Sequence, residues 1–446
     1  MKMTKRLDLE KEAILPLVLK MSWPSIIMMT AMSLYNFIDT FWLARFSSKA
    51  LAALTVCFPI QVIASAVGVG TGVGVSSFAA RMFGSGKNPE AKRTAGQIFF
   101  LSFLFGVTMI ISVLLFGDSI ILLFGASEDI ISLCHDYLYL IVFSAPLGLF
   151  SLMAGNLLRT EGRPLFAMYV FLITFIASAI LDPLLIFGIG SFPGMGIKGV
   201  AVASLIANLL SFVFSFFFLT LKSSKYEIDL KSTIPDLGII KSIYSTGLPS
   251  IINNLMICFV LVIYNHVLAN FSFQAIGAFG ICFRVITLTN TVSSGIGGGL
   301  LPIVGFSHGA QLYQRMKESV LTALKVSLLF AAVSSVLIEL FASQIVMLFS
   351  KDPALIVIAT TALRIHALAL VFIAPIIIFV HTLMGQGKGT SAMFLLFFRD
   401  IAVLIPLLII LPSFGGIMGA WMALPLANFV ALLVVFFWHK KERRGH

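Results

Sequence analysis

Charge is absent from stretches of this chain that are too long for a water-soluble fold. Ala50 to Ala80, Thr94 to Gly117, Tyr137 to Leu158, Gly199 to Leu221 and Val285 to Gln314 contain no Asp, Glu, Lys or Arg, and about 20 helical residues cross a hydrocarbon core. Ser242 to Phe283 and Ile401 to His439 are each long enough for two spans, with hairpin tips at Asn270–Gln274 and Pro412–Gly416. The fold class expected is an all-α integral membrane protein of twelve transmembrane helices, roughly at 14–43, 50–82, 94–116, 134–157, 165–189, 197–221, 240–268, 276–306, 319–342, 358–384, 391–411 and 417–438. The 11% charged residues, against about 25% in soluble proteins, agree with that class. The first apolar run, behind Lys2, Lys5, Arg6 and Lys11, lacks a small-residue cleavage site and is read as a retained helix rather than a secretory signal.

A net charge of +11 invites a nucleic-acid reading. The Lys and Arg residues instead sit in short clusters between apolar runs, with no basic face, so no nucleic-acid partner is expected. With the N-terminus inside, only Arg45, Lys49, Lys198 and Lys351 fall on the outer side, while Arg284, Arg364 and Arg399 lie within spans. That asymmetry follows the positive-inside rule and places both termini in the cytoplasm of a plasma (inner) membrane protein. Cys57, Cys134, Cys258 and Cys282 form no CxxC pair and read as small hydrophobes. The seven histidines form no metal-ligand spacing. No metal, no cofactor and no enzymatic cluster of His, Asp, Ser or Cys is expected.

Sliding the sequence on itself by 225 residues lays Pro24-Ser25-Ile26-Ile27 on Pro249-Ser250-Ile251-Ile252, and Leu43-Ala44 on Leu268-Ala269. Cys57-Phe58 then falls on Cys282-Phe283, and Gly70, Gly72, Gly74 and Gly84 fall on Gly295, Gly297, Gly299 and Gly309. Gly162 and Met168 match Gly387 and Met393; after a gap of five residues, Gly196-Ile197 and Ala207-Asn208 match Gly416-Ile417 and Ala427-Asn428. Six spans is an even number, so the copies share one membrane orientation. Parallel repeats of this kind build transporters with substrate held between the halves. The organisation expected is an N-terminal six-helix bundle over 1–221, a cytoplasmic linker over 222–241 and a C-terminal bundle with a basic tail over 242–446.

The glycine runs Gly68 to Gly74 and Gly295 to Gly299 lack a P-loop lysine and lie inside spans, so close helix approach and bending are expected of them. Prolines inside spans, among them Pro24, Pro183 and Pro249, suit helices that kink.

Acids inside the spans carry the functional signal, because a carboxylate at mid-bilayer costs about 2.5 to 3.5 kcal/mol on the mildest scale. Asp39 lies 19 residues beyond Lys20, and Asp182 lies 19 beyond Arg163. Each is then about 28 Å along its helix from the cytoplasmic boundary, at similar depth in the outer half of the first bundle. No basic residue shares either span, so reversible protonation or binding of a small cation is expected. Asp39 aligns with Tyr264, and Asp182 falls opposite Ala402 to Leu407, which confines the acidic site to the first half. Tyr35, Asn36, Asn156, Ser178 and Asn208 could supply hydrogen bonds, and Met28, Met29, Met32, Phe37, Met153 and Phe175 a soft apolar lining. Arg399 and Asp400, adjacent on one span, read as a structural ion pair.

Leu34-Tyr35-Asn36-Phe37-Ile38-Asp39-Thr40, the glycine-rich second and eighth helices, Arg159-Thr160-Glu161-Gly162 and Leu181-Asp182-Pro183 together resemble the multidrug and toxic compound extrusion (MATE) family over nearly the whole chain. The resemblance implies an antiporter that exports cationic amphipathic drugs or metabolites by alternating access, driven by protons or sodium ions. It implies a coupling site of Asp39 and Asp182, joined by Asn156. A position that is often asparagine in the family is Ser178 here, and the second-bundle acids of the sodium-driven branch are missing from Leu248 to Ala269 and Leu363 to Met384. Proton coupling is preferred, with sodium open. The partners expected are small cationic organic molecules and the bilayer, with the monomer as the working unit. A lipid-linked precursor flippase is the alternative, and an ion channel the lesser one.

Overall fold

The computed structural model describes residues 6–126, 128–188, 194–221, 224–226 and 230–444, apart from the side chains at 36, 37, 230, 231, 273 and 439–444. Helices α1 to α3 cover Ile14–Phe46, Ser48–Gly84 and Asn88–Leu123. Helices α4 (Glu128–Ile141) and α5 (Ala145–Thr160) are joined through a 3₁₀ turn at Val142–Ser144 and together make one passage. The break precedes Pro146, which cannot donate to the helix ladder. Then follow α6 (Pro164–Phe187), α7 (Ile197–Thr220), α8 (Leu237–Ala269), α9 (Phe273–Gly309), α10 (Tyr313–Met347) and α11 (Pro353–Gly385). Helix α12 (Gly389–Phe397) passes through a π-helical segment, Phe398–Leu404, into α13 (Ile405–Arg444).

Among the described residues there are 11 helical stretches long and apolar enough to cross a membrane, and no strand. The last stretch, Gly389–Trp438, has 50 residues and turns at Gly416, whose φ of 56° no helix accommodates. It therefore makes two passages, and the twelve expected from the sequence are present, with the tip where Pro412–Gly416 placed it. The protein is an integral membrane protein.

The repeat is written into the backbone as well as the sequence. Gly162 and Gly387 both have φ of 82°, while Gly196 and Gly416 have 57° and 56°. Cys57 donates to the Cys134 carbonyl at 3.9 Å, and its counterpart Cys282 donates to the Ala359 carbonyl at 3.7 Å. Three of the four cysteines are buried as small hydrophobes, and Cys258 lies on an exposed helix face. Gly86, with φ of 75°, has Gln311 as its counterpart with φ of 59°. An L side chain in that region costs about 1–2 kcal/mol. Gln311→Gly is thus expected to raise stability by about 1 kcal/mol, checked as an upward shift in the thermal midpoint in detergent.

Two compact units form, and they do not follow the repeat boundary. The first comprises Met1–Glu12, Ile27–Ile251 and Gly305–Gln311; the second comprises Ala13–Ile26, Ile252–Val304 and Leu312–His446. Each first helix of a repeat changes unit just after its Pro-Ser-Ile-Ile sequence begins. The glycine runs explain the exchange. In the first unit a Cβ on Gly70 would stand 2.4 Å from Ile251, and one on Gly74 would stand 2.3 Å from the Ile243 carbonyl. In the second unit a Cβ on Gly295 would meet Ile26 at 2.6 Å, and one on Gly299 the Met21 carbonyl at 2.7 Å. Each glycine helix thus receives the opening segment of the other repeat's first helix, and only glycine admits so close an approach.

Segments flanking the spans are tied to the end of the first unit that bears the N-terminus. Glu161, fully buried at the α5–α6 turn, accepts hydrogen bonds from the Arg6 guanidinium, from Ser224 Oγ at 3.3 Å and from the Lys225 amide at 2.6 Å. The Leu7 amide donates to the Gly162 carbonyl at 3.0 Å. Gln97 on α3 donates to the Ser232 and Ile234 carbonyls and accepts from the Asp236 amide, while Asp236 caps α8. The linker charges Lys222, Glu227, Asp229 and Lys231 lie outside the described side chains. Removing one partner of a buried ion pair costs about 3–5 kcal/mol. Glu161→Ala is expected to lower the thermal midpoint and expose the N-terminal segment to protease, whereas Glu161→Gln retains part of the network.

Candidate functional site

Asp39 on α1 and Asp182 on α6 meet inside the first unit. Their carboxyl groups lie close enough to act on each other electrostatically, and both residues are buried, at 2% and 0% exposure. Asp39 Oδ1 and both carboxyl oxygens of Asp182 find no donor among the described residues. No buried carboxylate pair is stable in that condition unless a cation or a proton completes it. Pro183, directly after Asp182, cannot donate to the helix ladder, which loosens α6 beside the pair.

Hydroxyl groups surround the acids. Tyr35, one turn before Asp39, places its Oη 2.8 Å from Ser204 Oγ and close to Ser178. Ser178 sits one turn before Asp182, fully buried, its Oγ without a hydrogen-bond partner among the described residues. Tyr137 on α4 is buried near both carboxyl groups and receives a hydrogen bond from the Gln61 side chain on α2. Tyr137, Gln61 and Ser204 were not anticipated from the sequence. Each is one of several polar residues on its helix, and only the packing of α2, α4 and α7 against α1 and α6 gives it meaning.

A cavity of about 220 Å³ adjoins this network in the same unit. Met32, Tyr35, Phe171, Phe175 and Met109 provide its apolar wall, and Gln61, Ser65, Thr174 and Asn208 its neutral polar groups. Among the described residues, none that lines it is charged. Tyr35 belongs to both cavity and network, so the phenol links the acids to the space where a small molecule would sit.

Several expected site residues are brought together: Asp39, Asp182, Ser178 and Tyr35 in the network, Met32, Phe175 and Asn208 around the cavity. Met153 is corrected. It is fully buried in the core with Phe150, Leu157 and Val170 and does not line the cavity, because α5 turns it away. Asn156 accepts from the Arg159 guanidinium and donates to the Leu152 carbonyl at 2.9 Å, so its amide is committed within its own helix rather than to the aspartates. The side chains of Asn36 and Phe37 lie outside those described.

In the second unit the position matching Asp39 holds no acid. Tyr264 stacks on Phe279 at 4.2 Å, donates to the Ala420 carbonyl at 3.0 Å, and contacts His366, which in turn packs against Trp421. That aromatic cluster surrounds the counterpart of Asp39.

Comparison with known proteins agrees with this architecture. Residues 24–184 and 249–410, one block in each repeat, match the MatE family. The chain is 28% identical over 427 residues to the FAD transporter of Shewanella oneidensis, covering 94% of this chain and 93% of that one. It is 23% identical to the multidrug export protein MepA of Staphylococcus aureus, covering 96% and 94%. Among solved structures, an outward-facing multidrug resistance MATE transporter superposes with a TM-score of 0.92 at 25% identity, covering 99% of this chain and 98% of that one. A Pyrococcus furiosus transporter of the same superfamily, described as having a binding pocket of reversed polarity, superposes with a TM-score of 0.91 at 26% identity over the same shares. With both repeats matched and the whole fold shared, the chain belongs to the MatE family of membrane efflux transporters.

Proposed function

We propose that this protein is a secondary antiporter that exports cationic amphipathic compounds in exchange for protons, with the Asp39–Asp182 pair as the coupling site and both termini in the cytoplasm. The observation that carries the reading is the donor-free carboxyl pair beside an uncharged, aromatic and methionine-lined cavity. Two carboxyl groups in contact share one proton, because both cannot ionise in an apolar site. A cationic substrate in the cavity stabilises the ionised pair and displaces the proton; protonation from the other side reverses the exchange. Each ligand then biases the equilibrium between inward- and outward-open states by its differential affinity. Sodium is the competing coupling ion, since carboxylate, hydroxyl and phenol oxygens are also its ligands.

The relative named an FAD transporter favours a second reading, in which the exported molecule carries anionic groups. Ethidium efflux from proteoliposomes, under an imposed proton or sodium gradient, separates the readings. The proposal expects efflux that follows the proton gradient. Efflux that follows only sodium would reassign the ion, and no ethidium efflux under either gradient would remove the cationic substrate.

A further inference from the structure

The π-helical segment Phe398–Leu404 contains an ion pair that ties no two helices together. Arg399 donates bidentately to its own neighbour Asp400, Nε to Oδ1 at 2.8 Å and Nη2 to Oδ2 at 2.9 Å. Arg364, by contrast, reaches across from α11 to Glu339 on α10. An intramembrane ion pair retained for structure joins separate helices, since the cost of burying charge is then offset by helix association. Adjacent residues on an α-helix do not face each other. The widened turn is what lets these two meet.

That widened turn is a one-residue insertion. Before it the repeats align at an offset of 225, as Met168 and Met393 show. Beyond it, a Cβ on Gly199 would strike the Leu185 carbonyl at 2.6 Å and one on Gly419 the Leu411 carbonyl at 2.3 Å, so Leu185 and Leu411 correspond, one residue further apart. Asp182 then stands opposite Leu408, just past the Ala402–Leu407 stretch expected from the sequence. Insertions of this kind in helices concentrate at functional sites. At the offset of 225 that holds up to this segment, Arg399 and Asp400 fall on Thr174 and Phe175, both lining the cavity of the first repeat. Arg399 is ten residues into its span, or about 15 Å, near the midplane where transporters hold substrate. Its side chain keeps 20% exposure while that of Asp400 keeps 6%.

We propose that Arg399 receives the phosphate or carboxylate group of a transported amphipathic molecule, and that Asp400 neutralises the guanidinium until that group displaces it. The inference rests on the transporter reading but not on a cationic substrate. A phosphate, with more charge than the Asp400 carboxylate and oxygens that also match the guanidinium fork, competes for the same donors.

The test compares flavin mononucleotide with riboflavin, which has the same ring without the phosphate, by fluorescence polarisation against the purified full chain in nanodiscs. Wild type is expected to bind the mononucleotide about tenfold more tightly than riboflavin, the size of one charge-assisted contact. Asp400→Asn, which leaves the arginine unneutralised, is expected to widen that preference, and the charge-free double variant Arg399→Gln with Asp400→Asn to erase it while riboflavin binding persists. Equal binding of both flavins to wild type, or equal losses for both in Asp400→Asn, would overturn the proposal. Nanodiscs of phosphatidylcholine alone and with phosphatidylglycerol separate the sources of phosphate: a preference unchanged by the anionic lipid supports a transported solute, and one abolished by it assigns Arg399 to lipid and overturns the solute assignment. Ethidium efflux is measured on the same variants. Its absence in wild type would defeat the cationic reading while leaving the flavin result to stand or fall alone.

Discussion

Asp39→Asn is expected to reduce gradient-driven export to the leak of protein-free liposomes while leaving the chain folded. Asparagine keeps the shape of the side chain and removes its charge, and its amide can donate to Asp182 in place of the shared proton. A buried acceptor that keeps a donor escapes the cost of about 1–3 kcal/mol for being left unsatisfied, so the variant is expected to match or exceed the thermal midpoint of wild type. Activity and stability then move in opposite directions, which a merely structural aspartate would not produce. Asp182→Asn is expected to behave alike, and the double variant to be no worse than either single one, because residues that act as a unit are not additive. Export that persists at half the wild-type rate or more in Asp39→Asn would remove the pair from the mechanism.

Gly84→Val and Gly309→Val carry the largest expected cost to folding. A Cβ on Gly84 would lie 2.0 Å from the Phe306 carbonyl oxygen, and one on Gly309 would lie 2.1 Å from that of Arg81. Residues 84 and 309 are repeat counterparts, as are 81 and 306, so the ends of α2 and α9 cross as a reciprocal pair within the first unit. The obstacle in each case is backbone, which cannot rotate aside. Overpacking a fixed contact costs about 3 kcal/mol or more, and each substitution is expected to lower the yield of monodisperse protein in detergent severalfold. Gly86→Ala is the control. It has a positive φ of 75° but no atom within 4 Å of the added carbon, so it is expected to cost only about 1 kcal/mol.

The twelve passages, the repeat and the pair of aspartates were legible because each leaves a trace in one dimension. Apolar length marks a span, self-alignment marks a repeat, and an unpaired acid in an uncharged run marks a candidate site. The glycine runs were legible as close-packing helices, but not which partners they admit. Ile251 lies far from Gly70 in sequence and Ile26 far from Gly295, and no periodicity records that the opening segments are exchanged. Tyr137, Gln61 and Ser204 were not legible for a related reason: one phenol, amide or hydroxyl among the several polar residues of a membrane helix has many possible neighbours. Met153 looked like cavity lining by composition, yet rotation of α5 decides which of its residues face inward. The inserted residue beside Arg399 was concealed because the shorter loop before Gly416 more than offsets it, leaving a net gap of five.

Proton release on substrate binding tests the coupling claim most directly. Purified protein in weakly buffered detergent at pH 7 is mixed with ethidium, and the pH change is read with an indicator dye as binding saturates. The shared-proton account predicts release of about one proton per bound ethidium, abolished in Asp39→Asn and in Asp182→Asn. Saturable ethidium binding with no proton released from wild type would contradict it.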